Sequence, residues 1–135
     1  MKFEKYPSRA KCNNYIAPKE IFMLGLCPYE IAIYSYLLSL ENKDYQSWPS
    51  YNTIAKHINV SKNTVKKYID SLYEKQLIWI EPTQIYRGNL KVNGNNKYTI
   101  RPIYEAIKYN LEKQFERNAL IQRRAEIAEK LGAAG

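Results

Sequence analysis

Between residues 50 and 101 the chain carries nine basic side chains, Lys56, Lys62, Lys66, Lys67, Lys75, Arg87, Lys91, Lys97 and Arg101, against three acidic ones, Asp70, Glu74 and Glu81. The chemistry such a set can do is electrostatic: it can meet a polyanion on one surface. Ser61, Asn63 and Thr64 stand among those lysines and add hydroxyl and amide groups that both donate and accept hydrogen bonds. Bond-breaking chemistry lacks its parts. His57 is the single histidine, and Cys12 and Cys27 form no Cys-x-x-Cys pair, which is too few soft ligands for a structural zinc. The sequence has no glycine-rich phosphate loop, no His-Glu-x-x-His and no Gly-x-Ser-x-Gly. A nuclease would need Asp44, Asp70 and Glu74 to converge, and their spacing does not suggest it. The expectation is a protein that is no enzyme, has no metal or cofactor, and keeps its cysteines reduced.

The whole chain has 135 residues and a formal net charge of +8, from 21 Lys and Arg against 13 Asp and Glu. Its 45% hydrophobic and 13% aromatic content can fill one core. No stretch approaches the roughly 18 apolar residues of a membrane span. The start, Met1-Lys2-Phe3-Glu4, lacks the apolar run of a signal peptide, so a cytoplasmic location is expected. Charge alone permits nucleic acid, a membrane surface or a merely solvated basic face.

The elements that must position the basic groups follow from local pattern. Residues 1–19 read as an arm, punctuated by Pro7, Asn13-Asn14 and Pro18. Cys27-Pro28 starts a helix, because proline at the first helical position has a preset φ and lacks only an N–H that would be unpaired anyway. Ile33, Tyr34, Leu37 and Leu38 share one face of it, and Asn42-Lys43-Asp44 ends it. Ser50 can cap a second helix, Tyr51 to His57, with Ile54, Ala55 and Ile58 inward. Ser61 can cap a third, Lys62 to about Lys75, with Val65, Tyr68, Ile69 and Leu72 inward. Leu77–Ile80 and Tyr98–Ile100 read as strands. Between them Arg87-Gly88-Asn89 and Asn93-Gly94-Asn95-Asn96 are turn signals, Asn-Gly being the stronger for a tight hairpin, so the section reads as a hairpin with a long basic tip.

A final helix is predicted from about Ile103 to Leu131. Ile103, Ile107, Leu111 and Phe115 sweep one side of it, and Tyr109, Leu120, Ile127 and Leu131 nearly the opposite one. One face can pack on the domain and the other pair with a second copy through residues 119–131. A kink near Asn118, or a frayed tail, is the competing reading. Tyr34, Tyr68 and Tyr104 fall on core stripes, which weighs against reading the 13 tyrosines as a stacking platform for single strands.

Helices two and three fit a helix-turn-helix position by position. Ala55 stands where the helices cross closely. Asn59, four residues on, tolerates the positive φ that the turn needs, and Val60 plugs the turn into the core. With the following strands, the fold class predicted is mainly α with a small β-hairpin: a winged helix-turn-helix over residues 20–101 and a long C-terminal helix over 102–135.

Pro49-Ser50-Tyr51-Asn52-Thr53-Ile54-Ala55, Val60-Ser61-Lys62-Asn63-Thr64-Val65 and Leu72-Tyr73-Glu74-Lys75-Gln76-Leu77-Ile78 resemble the helix-turn-helix domain of small mobile-element proteins, among them plasmid and phage replication initiators and transcriptional regulators. The resemblance covers about residues 20–101 and is specific for the fold rather than the biological role. Asn59 and Gln76 depart from it, standing where the family commonly has Gly.

An α-helix fits the major groove of a DNA duplex, so the exposed start of the third helix, Ser61, Lys62, Asn63, Thr64, Lys66 and Lys67, is expected to meet base edges and phosphates. Asn63 suits a bidentate bond to adenine. Lys62 and Lys66 suit guanine or phosphate, and Lys67 and Lys56 suit phosphate. Ser50, Tyr51 and Asn52 can present side chains and backbone N–H groups to phosphate. Arg87, Lys91 and Lys97 of the hairpin tip would reach along the duplex, Arg87 foremost. The resulting expectation is a sequence-specific double-stranded DNA-binding protein, acting as a transcription regulator or mobile-element accessory factor with the transcription or replication machinery as further partner. The alternatives are a replication initiator that marks an origin and a winged-helix protein-interaction module without DNA binding.

Overall fold

The computed structural model describes residues 14–133. Cys12 and most of the arm, residues 1–13, lie outside them. A 3-10 turn, Lys19–Met23, leads into α1 (Pro28–Leu40), β1 (Gln46–Ser47), α2 (Tyr51–Ile58), α3 (Lys62–Glu74), β2 (Ile78–Glu81), β3 (Gln84–Arg87), β4 (Leu90–Asn93), β5 (Lys97–Ile100) and α4 (Ile103–Ala133). This is the winged helix-turn-helix with a long C-terminal helix that the sequence predicts.

α1 begins where its proline predicts, and the Cys27 N–H donates to Glu30 Oε1 at 3.0 Å to close the first turn. Its inner face, Ile33, Tyr34, Leu37 and Leu38, is buried against Ile54 and Ala55 of α2 and Val65, Ile69 and Leu72 of α3. Tyr68 is only half-buried, its ring stacked on Tyr29 at 5.2 Å. Ile78 and Tyr98 close the core from the strands with Leu77 just before β2, Ile21 from the 3-10 turn with Leu24 just after it, and Ala106 from α4.

The strands depart from a single hairpin. β5 is central, antiparallel to β1 on one side and β2 on the other, with Ser47 and Ile80 both opposite Tyr98. β1 has two residues, too few for an alternation to show in sequence. It is held by the turn before it: Asn42 Oδ1 accepts from the N–H groups of Asp44 and Gln46, and Tyr45 takes a φ of 65°.

β3 and β4 form a separate ribbon, Arg87 opposite Leu90. Its tight turn is Gly88-Asn89, with Gly88 at φ 63°, and not the Asn93-Gly94 pair that is the stronger hairpin signal in sequence. Gly94 lies at the root of the ribbon, donating its N–H to Thr83 O at 2.9 Å, and a Cβ there would come within 2.7 Å of Thr83 Oγ1. The glycine therefore serves a close approach between the two crossings and not a chain reversal.

α4 is continuous from Ile103 to Ala133, with no break near Asn118. Its first two turns pack through Ala106, with Ile103 and Ile107 beside it, whereas Tyr104 is exposed, contrary to its predicted place on a core stripe. From Leu111 to Gly132 every residue is exposed. Among the described residues no helix is long and apolar enough to cross a membrane, and no group of His, Cys, Asp and Glu could hold a metal.

Candidate nucleic-acid interface

α2 and α3 are each started by a serine. Ser50 Oγ accepts from the Thr53 N–H at 3.0 Å and Ser61 Oγ from the Thr64 N–H at 3.1 Å; in both, the threonine hydroxyl bonds back to the serine, at 2.8 and 2.7 Å. Each cap satisfies a backbone donor that the helix itself leaves open. Between the helices Asn59 adopts φ 57°, ψ 51°, and the Val60 N–H donates to Ala55 O at 3.0 Å. The turn is thus the tight left-handed corner that the Asn59 position predicts.

That corner turns Lys62, Asn63, Lys66 and Lys67 outward, all exposed, with Thr64 half-buried behind them. Asn52 and Lys56 are exposed on α2, and Ser50 and Tyr51 are half-buried. Lys66 Nζ lies 5.5 Å from the centre of the Tyr51 ring and Lys67 Nζ 5.2 Å from that of Tyr68. The rings favour the place of the ammonium groups beside the helix and leave both lysines exposed.

The wing is tied to the start of α2. Asn96 Nδ2 donates to the Tyr51 hydroxyl at 3.1 Å, and Asn95 Nδ2 to Trp48 O at 3.2 Å; Thr83 Oγ1 donates to Asn95 O. Asn95 and Asn96 read as turn residues in sequence, and only the fold, which brings Trp48 and Tyr51 beside them, reveals them as ties. Next to them burial pushes the Tyr98 hydroxyl well above its ordinary range.

In the ribbon, cross-strand partners share a face and successive residues alternate. Arg87 and Leu90 therefore stand on one face, Tyr86 and Lys91 on the other. The structure does not bring Arg87 and Lys91 together. Lys97 is not at the tip at all: it begins β5, and its Nζ lies 3.0 Å from Glu81 Oε2 on the neighbouring strand.

Ion pairs divide the basic residues into two sets. Lys97 is paired with Glu81, Lys75 with Glu30 at 2.8 Å, and Arg101 with Glu105 at 2.7 Å, the Arg101 guanidinium also lying 3.7 Å from the centre of the Trp79 ring. Among the described residues no ion pair engages Lys56, Lys62, Lys66, Lys67, Arg87 or Lys91, and all six are exposed. The Glu30 contact fixes the far end of α3: its carboxylate, almost wholly buried, also accepts from Ser71 Oγ at 2.8 Å. Burial pushes the Glu30 carboxyl upward, but Lys75, the Cys27 N–H and Ser71 outweigh it and hold it below its ordinary value.

Residues 24–78 match the sequence model of a helix-turn-helix domain family. No curated protein matches the chain. Among solved structures, one described as a possible transcriptional regulator from Methanosarcina mazei Go1 is 15% identical with a TM-score of 0.52, over 84% of this chain and 98% of that one. MepR, a transcription regulator of the Staphylococcus aureus multidrug efflux pump MepA, is 13% identical with a TM-score of 0.44, over 87% and 86% of the two chains. A Staphylococcus aureus MepR–DNA complex is 15% identical with a TM-score of 0.42, over 87% of each chain. The likeness to the Methanosarcina mazei structure is one of fold, and together with the matched segment it makes this chain a winged helix-turn-helix fold built on a helix-turn-helix core.

Proposed function

We propose that the chain is a sequence-specific double-stranded DNA-binding protein that acts in transcription regulation, as a regulator or as an accessory factor of a mobile element. The observation that carries this reading is the set of six exposed cations that no ion pair engages among the described residues, four of them on α2 and α3 and two on the ribbon. α3 enters the major groove with Asn63 toward an adenine edge and Lys62 and Lys66 toward guanine or phosphate. Lys56 and Lys67 hold phosphates, as do Asn52, Tyr51 and the N–H groups behind Ser50 at the start of α2. Ser61 and Thr64 hold the helix end that presents these groups. Arg87 follows the duplex from the ribbon. Lys97, engaged by Glu81, supports the wing in this reading and makes no phosphate contact.

The effect of binding needs no chemical step: the bound protein excludes or contacts the transcription machinery. Two copies pair through the exposed half of α4, whose Leu120, Ile127 and Leu131 form a stripe along one side. Residues 111–132 hold five basic and four acidic side chains, a balance that suits a second copy better than a strongly charged partner.

The test is selection of bound fragments from random duplex DNA, followed by affinity for the selected site at several salt concentrations. Binding should weaken steeply with salt, and Lys66→Ala with Lys67→Ala should flatten the slope by about two where both lysines neutralise phosphates, and by about one where Lys66 reads guanine instead. No enriched motif, or an unchanged slope in the double variant, would overturn the reading.

A further inference from the structure

The ladder that would join the ribbon to the main sheet is broken at the ribbon's root. Glu81 ends β2 opposite Lys97, and Gln84 begins β3 opposite Asn93. Between these pairs Pro82 and Thr83 stand on one crossing, against Gly94, Asn95 and Asn96 on the other. The extra residue makes a bulge, which bends and twists a ladder, and Pro82 has no N–H with which to bridge the break. β3 and β4 accordingly form a sheet of their own. Every residue of the ribbon except Val92 is exposed, so no buried face fixes its direction.

Hydrogen bonds across the root supply what the ladder and the core do not. One pair joins the two crossings: the Gly94 N–H donates to Thr83 O at 2.9 Å, and the Thr83 hydroxyl donates to Asn95 O. A second pair leaves them for the helix-turn-helix, Asn95 Nδ2 to Trp48 O at 3.2 Å and Asn96 Nδ2 to the Tyr51 hydroxyl at 3.1 Å. Both acceptors are held in place. Pro49 restricts the backbone of Trp48 to extended conformations, and Tyr51 is the first residue of α2, its ring 5.5 Å from Lys66 Nζ of α3. Tyr51 is thus the joint at which the ribbon, α2 and α3 meet.

We infer that Asn95 and Asn96 are positioning residues for DNA recognition: they fix the angle of the ribbon on the helix-turn-helix, and with it the place where Arg87 meets the duplex relative to the bases read by Asn63. They act through Arg87 and not by touching DNA themselves. A ribbon free to swing about the bulge would still carry Arg87, but ordering it on binding would offset the gain from the contact. The role in recognition rests on the proposed function, whereas the ties can be measured in the free protein.

The experiment begins without DNA. Residual dipolar couplings of the backbone amides of the full chain, aligned in a neutral stretched gel, should fit one common orientation for the ribbon, α2 and α3. In Asn95→Ala with Asn96→Ala the couplings of residues 84–93 should shrink to about half or less, while those of α1, α2 and α3 keep their pattern. Asn95→Ala alone, at an exposed position, and Tyr51→Phe, which keeps the ring beside Lys66 and removes the acceptor, should each shrink them in the same direction. On the selected DNA site the salt slope of the double variant should already be lower by about one. Arg87→Ala added to it should lower the slope no further, and Lys67→Ala should still lower it by about one. Ribbon couplings unchanged in the double variant, or an Arg87→Ala effect as large there as in the parent, would overturn the assignment. Couplings that shrink as expected in a chain that enriches no DNA motif would overturn the proposed function and leave the ties standing.

Discussion

Gln76 stands where the family that the sequence resembles commonly has Gly. It follows α3 at a φ of 67°, and around it the Leu77 N–H donates to Leu72 O at 3.0 Å and the Gln76 N–H to Tyr73 O at 3.2 Å. This paired closure of a helix end usually takes Gly at the left-handed position, because a Cβ crowds the following carbonyl. Gln76→Gly should therefore raise stability by about 1 kcal/mol, less the added entropy of the unfolded chain. Urea unfolding at neutral pH measures it, and a loss of stability would show that Gln76 contributes contacts that outweigh its strain. Asn59, at φ 57°, stands in the same region with a side chain better suited to it. The Asn59 corner is legible in the sequence from its spacing after Ala55, and that of Gln76 only through the resemblance to a family that commonly has Gly there. The partners of Glu30 are not: Ser71 and Lys75 lie more than forty residues further along the chain.

At the scale of elements, that carboxylate joins the first turn of α1 to the last turn of α3. Glu30→Gln removes the charge and leaves Lys75 facing a neutral amide, and since Lys75 keeps about a third of its side-chain exposure the cost should be about 2 kcal/mol, below that of a fully buried pair. The folded-state pKa of Glu30 is depressed, so its contribution is complete above the ordinary value of 4.5 and is lost as pH falls through the lower folded value. The stability gap between parent and variant should accordingly be full at neutral pH and close on acidification below 4.5. A gap of constant size across that range would sever the pair from the pH dependence. For the ribbon, the alternation of faces separates its two cations. Arg87→Ala should reduce the salt slope of DNA binding by about one and Lys91→Ala should leave it unchanged. Equal losses would mean that the tip straddles the phosphates with both faces.

The whole molecule is dominated by α4, a helix of 31 residues of which everything from Leu111 to Gly132 is exposed. An isolated helix gains little from its own backbone in water and takes most of its stability from packing an apolar face. Leu120, Ile127 and Leu131, at 51%, 52% and 71% exposure, lie on one side of α4 that nothing among the described residues covers, and in the proposed dimer a second copy supplies that packing. Leu120→Glu with Ile127→Glu should convert a dimer into a monomer in sedimentation equilibrium. The variant should lose affinity for paired half-sites about one helical turn apart while keeping its affinity for a single half-site. A parent chain that is already monomeric at assay concentrations would remove the dimer from the proposal.

What the sequence by itself determined is local. Pro28, Ser50, Ser61 and Asn59 set where helices begin and turn, and the 3.6-residue stripes set which faces go inward, because both depend on neighbours within one or two turns. The direction in which Lys62, Asn63, Lys66 and Lys67 point follows from the same stripes. Tertiary structure decided what depends on distant partners. It chose Gly88-Asn89 over Asn93-Gly94 as the reversal, since the register with β3 and the close approach of Thr83 outrank an intrinsic turn preference. It added β1, which has no pattern of its own and exists through pairing with β5. It also sorted the basic residues into those neutralised by Glu30, Glu81 and Glu105 and those left free, because an ion pair is made by proximity in space, which composition and spacing along the chain do not carry.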